Sequence, residues 1–125
     1  MIDFDISTLV KAKKLFDDFR QHLDRKQDQA GAIQSYEYTY ELSWKYMKKI
    51  LAKRGMEAGS PRQVIRKAHE EGLISNIENW FTFIEMRNLT THTYNEDNMH
   101  KVLASFDLFS AEVDALIAEL QKNHA

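Results

Sequence analysis

Within the stretch Arg87-Asn88-Leu89-Thr90-Thr91-His92-Thr93-Tyr94 the chain places a guanidinium, a carboxamide, an imidazole and a phenol. These are groups suited to a phosphodiester. Cleaving RNA without a metal needs a base to take the 2′-OH proton, an acid to protonate the leaving 5′-oxygen, and a cation for the charge on the phosphorane. A histidine serves as base or acid near neutral pH, and a guanidinium can hold two phosphate oxygens at once. Asn88, directly after Arg87, can orient the phosphate or the ring. One chain supplies one histidine in this stretch, so a two-fold dimer would be needed to bring a second. Taken alone, an Arg and a His five apart often arise by chance, a His at a helix end commonly caps carbonyls, and Tyr94 reads as a boundary aromatic with its ring packed and its hydroxyl wet.

The stretch interrupts an amphipathic pattern. Ile77, Trp80 and Ile84 recur at steps of three and four, and the next positions on that stripe are Arg87 and Thr91. A guanidinium on a buried stripe is costly unless it is paired or faces a cleft. One proline, four glycines and sustained helical periodicity predict an all-α fold. A first helix is expected from about Ser7 to Gln27 (stripe Leu9, Ala12, Phe16, Phe19, Leu23), and a second from about Gln29 to Arg54, stopped by Gly55 in the left-handed region. Gly59-Ser60-Pro61 reads as loop, N-cap and first helical position of a short connector ending near Gly72. A fourth helix begins near Ser75 or Asn76 and runs into the Arg87 to Tyr94 stretch; a fifth begins near Asn95 and carries Met99, Val102, Phe106, Phe109, Val113, Leu116 and Leu120. The four long helices would form an up-and-down four-helix bundle, with the short connecting helix capping one end. Trp80, Phe81, Phe83, Ile84 and Met86 exceed one narrow stripe, which fits either a helix packed on two neighbours or one facing another subunit.

At 125 residues the chain suits one domain, 1–125. The net charge of −2 argues against a generally basic nucleic-acid binder, but the charge is unevenly spread. The segment from Lys45 to Lys67 is +7 and the remainder −9. Lys45, Lys48, Lys49 and Arg62 within it either form solvated helix faces or contact RNA phosphates or an acidic partner. There is no cysteine, no apolar run long enough to span a bilayer, and no basic-then-apolar leader at Met1-Ile2-Asp3-Phe4-Asp5. A cytoplasmic protein without membrane contact is expected.

Metal-binding bundles use paired Glu-x-x-His elements, which this chain lacks, so no metal and no cofactor are expected. Asp97 and His100, three apart, read as a solvated first turn, and His22, His69 and His124 as surface. Glu37 and Glu41 are one helical turn apart; the nearest compensating cation in sequence is Lys45, one turn beyond Glu41, and the less favoured alternative is Arg87 from across the bundle.

At these residues the chain resembles the HEPN proteins of the HepT type, also called nucleotidyltransferase substrate-binding proteins. The family pattern of an Arg, four residues, a His, one residue and a Tyr is met by Arg87, His92 and Tyr94, with Asn88 after the Arg. Glu37-Tyr38-Thr39-Tyr40-Glu41-Leu42-Ser43-Trp44-Lys45 is similar to the family's second-helix signature, and the stretch from Ser60-Pro61-Arg62 to Gly72-Leu73-Ile74 to its connector. The resemblance implies a homodimer with both motifs in a shared cleft, and an endoribonuclease toxin in which Arg87, Asn88 and His92 are catalytic. It further implies a minimal nucleotidyltransferase antitoxin as partner, which transfers AMP to Tyr94 and so blocks the RNA site. The alternative is a non-catalytic nucleotide- or substrate-binding subunit of a two-component nucleotidyltransferase.

Overall fold

In a computed structural model, which describes residues 5–122, the chain folds as α1 (Ser7–Arg20), α2 (Lys26–Lys53), α3 (Pro61–Glu70), α4 (Ile77–Leu89), a 3-10 turn (Thr90–His92), α5 (Glu96–Ala104) and α6 (Phe106–Lys122). It is an all-α bundle in which α1 packs on α2 and α6, and α4 packs on α2, α3, α5 and α6. None of the described helices is long and apolar enough to cross a membrane. His124 lies outside the described residues.

The helix boundaries follow local chemistry. Ser60 caps α3: its hydroxyl accepts from the Gln63 amide at 3.2 Å while the Gln63 side chain accepts from the amides of Gly59 and Ser60. Asn76 and Asn95 cap α4 and α5 in the same way, each accepting from the amide three residues on. Gly55 ends α2 with φ of +79°, as its position after the last periodic residues predicts.

Two expected helices are shorter than periodicity suggests. The first stops at Arg20 rather than Gln27, because α2 begins earlier: the Asp28 carboxylate accepts from the Arg25 amide and guanidinium at the start of α2. Leu23 still packs on the core from the turn, held by the Gln29 side chain donating to its carbonyl. The expected fifth helix is two, α5 and α6, broken at Ser105, whose hydroxyl donates to the Val102 carbonyl at 2.6 Å and whose amide takes the same acceptor.

Six aromatic residues from four helices fill the centre: Phe16, Tyr36, Trp80, Phe83, Phe106 and Phe109, all buried. Their contacts are mostly edge-to-face, with Tyr36 and Phe109 centroids 4.6 Å apart and Phe83 and Phe109 5.0 Å apart. Gly31 is needed on α2 because a Cβ there would meet the Phe19 ring at 2.8 Å. The large apolar set on α4 divides: Trp80 and Phe83 enter this core, whereas Phe81 lies beneath the guanidinium groups of Arg62 and Arg66, at 4.7 and 5.8 Å from its ring centre.

Candidate active site at the end of α4

Arg87 occupies the last turn of α4 and His92 closes the 3-10 turn that follows. The tightening from α-helix to 3-10 changes which residues turn inward. Thr90 is buried, and Thr91, which an unbroken stripe would have buried, is exposed. The turn is fastened from beyond it, since the His92 carbonyl accepts from the Asn95 amide at 3.2 Å and from the Asn98 carboxamide at 3.1 Å.

Arg87 is half-buried and paired. Its Nη1 lies 3.1 Å from Glu37 Oε2 and donates to Thr90 Oγ1 at 3.1 Å; its Nε is 3.9 Å from Glu41 Oε1. The last distance is too long for a hydrogen bond, so Nε is a buried donor without an acceptor. The Thr90 hydroxyl is within donating distance of Glu37 Oε2, at 2.7 Å, and of the Arg87 carbonyl, at 2.6 Å. The expectation that Lys45 compensates the Glu37 and Glu41 pair is therefore corrected. Both carboxylates turn to Arg87, because packing α2 on α4 brings a fixed cation between residues one turn apart, while Lys45 is an exposed, flexible neighbour. Glu41 also accepts from Trp44 Nε1 at 3.2 Å.

His92 is exposed, and its Nδ1 is 3.2 Å from the Tyr94 hydroxyl. The phenol and the ring nitrogen form one hydrogen bond, whose direction follows from which ring nitrogen carries the proton. Tyr94 is 84% exposed, so it is not a packed boundary aromatic; what anchors it among the described residues is the histidine two residues before it. Asn88 is exposed, and its carbonyl accepts from the Thr91 hydroxyl.

Between the acidic pair and solvent lies an open groove of about 400 Å³ lined by Gln34, Glu37, Tyr38, Glu41, Leu42 and Lys45. Lys45 is the one member of the basic segment that shares it. Lys48 lines a separate groove with Met56 and Gln63, and Lys49 lies over the Tyr46 ring at 5.2 Å. The phenol of Tyr40, on α2 beside Glu41, is pushed up to about 12 by burial and by the Glu41 charge, against the opposing pull of Arg87 and then Arg62. The structure thus gathers Arg87, Glu37, Glu41, Thr90 and Lys45 near one end of α4, and leaves Lys48, Lys49 and Arg62 apart, the last over the Phe81 ring. Thr90 is the residue that sequence reasoning missed, and its only signal was a polar type next to a helix end. Among the described residues no group of three or more potential metal ligands occurs, and Asp97 and His100 are both exposed.

The fold and the site define a small all-helical bundle protein that carries an Arg, His and Tyr motif where a helix tightens into a 3-10 turn. The chain belongs to the family described as nucleotidyltransferase substrate binding protein like, whose model matches residues 5–122. It is 35% identical over 100 residues to the Probable ribonuclease HepT of Haemophilus influenzae, covering 76% of this chain and 68% of that protein. Two solved structures share the fold: a protein from Thermus thermophilus (29% identity, TM-score 0.85, 90% of this chain and 98% of that one) and HI0074 from Haemophilus influenzae (27% identity, TM-score 0.81, 94% and 99%). The latter is described as revealing the fold of a substrate binding domain of a nucleotidyltransferase.

Proposed function

We propose that this protein is a metal-independent endoribonuclease of the HEPN type, acting as the toxin of a cytoplasmic toxin and antitoxin pair. The observation that carries the reading is an exposed imidazole in a fastened turn, five residues after a guanidinium whose position is set by neighbouring side chains. The ribonuclease name of the Haemophilus relative points the same way. Two chains facing each other would supply two His92 rings. One takes the 2′-OH proton as that oxygen attacks phosphorus; the other protonates the 5′-oxygen as its bond to phosphorus breaks. The products are a 2′,3′-cyclic phosphate and a free 5′-OH. Arg87 offsets the phosphorane charge, Asn88 assists in orienting the phosphate, Lys45 attracts the RNA backbone, and Lys48, Lys49 and Arg62 attract the partner.

The antitoxin is a minimal nucleotidyltransferase. The Tyr94 hydroxyl attacks the α-phosphorus of ATP, pyrophosphate leaves, and the resulting phosphodiester places bulk and negative charge beside His92. Exposure of Tyr94 supports this role. In a second reading the protein is a non-catalytic subunit that presents a nucleotide or substrate to the transferase; the family description and that of HI0074 favour it.

His92→Ala should abolish RNA cleavage while leaving the oligomeric state unchanged. Incubation with ATP, magnesium and the partner transferase should add one or more AMP masses to wild type and none to Tyr94→Phe. Full cleavage by His92→Ala sinks the mechanism, and an intact complex with neither cleavage nor mass gain selects the second reading.

A further inference from the structure

The contacts around Arg87 close into a triangle. Glu37 Oε2, Arg87 Nη1 and Thr90 Oγ1 lie within 3.1 Å of one another, with the Thr90 to Glu37 edge at 2.7 Å. The three residues come from three elements: α2, the end of α4, and the first position of the 3-10 turn. The guanidinium donates to the hydroxyl, the hydroxyl's single hydrogen is shared between the Glu37 carboxylate and the Arg87 carbonyl, at 2.7 and 2.6 Å, and the carboxylate forms an ion pair with the guanidinium. An isolated half-exposed ion pair would hold Arg87 only loosely, whereas a closed triangle with a buried hydroxyl at one corner restricts it to one rotamer. Thr90 is only 7% exposed, where an apolar residue would pack without needing a partner.

We infer that Glu37 and Thr90 are positioning residues for the phosphate chemistry, an inference that rests on the nuclease reading of Arg87 and His92. Glu37, acting through Thr90, holds the guanidinium and the start of the turn that carries His92 in one arrangement. Thr90 is covalently part of that turn, so fixing its hydroxyl to α2 fixes the path of the chain toward the imidazole two residues on. Nη1 is then turned toward Thr90 and Glu37, and Nη2 is the terminal nitrogen that this arrangement would offer to a phosphate oxygen. A cation held this way needs no reorganisation during the reaction. A carboxylate that merely masked the cation would do the opposite: removing it would free Arg87 and raise activity.

The test is steady-state cleavage of an end-labelled, mixed-sequence single-stranded RNA. Thr90→Val and Glu37→Ala should each lower kcat by about tenfold to hundredfold, with KM within about twofold of wild type. Thr90→Ser, which keeps the hydroxyl, should restore most of kcat, and Glu37→Gln, which keeps an acceptor oxygen but not the charge, should fall between. Because the two residues act through one network, the double variant Glu37→Ala/Thr90→Val should be no slower than the slower single variant. A rise in kcat for Glu37→Ala, multiplying losses in the double variant, or a loss confined to KM would each overturn the inference. If wild type cleaves no RNA, the nuclease reading fails by itself, and the triangle is then read by NMR. The amide resonances from Thr91 to Tyr94 should move in Thr90→Val and in Glu37→Ala and return in Thr90→Ser; unmoved resonances would refute it.

Discussion

The Tyr36 hydroxyl on α2 donates to the backbone carbonyl of Phe83 on α4 at 3.0 Å, fixing the register between the helices that carry Glu37 and Arg87. Phe83 precedes Arg87 by one helical turn, and Glu37 follows Tyr36 directly, so one buried hydrogen bond sets the ion pair next to it. Tyr36→Phe should keep the ring packing and lose about 1 kcal/mol of stability in chemical denaturation, since the Phe83 carbonyl retains its helical partner. A variant as stable as wild type would mean that ring packing alone sets the register.

Tyr40 provides a spectroscopic report on the site. Burial and Glu41 push its phenol up to about 12, and Arg87 and Arg62 oppose them. Replacing Arg87 by alanine should raise it further, and Glu41→Gln should lower it, measured as the difference in ultraviolet titration between each protein and its Tyr40→Phe counterpart. The folded value lies above the unfolded value of about 10, so Tyr40 contributes stability that is full below pH ~10 and is lost as pH rises toward 12. An unshifted titration in Arg87→Ala would place Tyr40 outside the reach of the guanidinium.

Acid sensitivity should reside where α1 meets α6. Lys13, buried at 4% exposure, donates to Asp17 at 2.6 Å and to Asp114 of α6 at 2.7 Å, and Asp17 also accepts from Arg20 and Ser110. Burial alone would raise the Asp17 carboxyl, but the hydrogen bonds from Lys13, Ser110 and Arg20 outweigh it and hold it below its ordinary value. The stabilisation is therefore complete above the unfolded value of about 3.9 and disappears as pH falls through the lower folded one. Asp17→Asn should lower stability at pH 7 and flatten its decline below pH ~4 in urea titrations. An acid limb as steep as that of wild type would assign it to other carboxylates.

The basic segment should divide functionally. Lys45 shares the groove of Glu37 and Glu41, whereas Lys48 belongs to a different one. Lys45→Ala should weaken binding of a non-cleavable 2′-O-methyl RNA and reduce the slope of log affinity against log salt by about 0.7, the change expected for one lost single-strand phosphate contact. Lys48→Ala should change neither. Equal effects would argue for diffuse attraction by the whole segment.

Much of this protein was legible from residue order. Apolar spacing, the Ser60-Pro61 start and the Gly55 stop are local signals, and they located the α3 start and the α2 end closely. The Arg87, His92 and Tyr94 motif was equally visible, because its members lie on one short segment and carry the family resemblance that the matched model bears out. Periodicity overran at the turn after Arg20 and at Ser105, where a capping carboxylate starts the next helix early and a back-bonded hydroxyl ends one without disturbing the apolar spacing.

The partners of Arg87, by contrast, were settled by packing. Thr90 and Glu37 are 53 residues apart in sequence, so no local spacing relates them. From sequence, Lys45 was the nearest cation to Glu41; in the folded chain, the rotation of α2 against α4 brings Arg87 to both carboxylates. The burial of Thr90 in place of Thr91 was hidden for a similar reason. A single 3-10 turn shifts the inward face by one residue, and that turn is held by Asn95 and Asn98, three and six residues beyond His92, through hydrogen bonds that leave no mark on the apolar spacing.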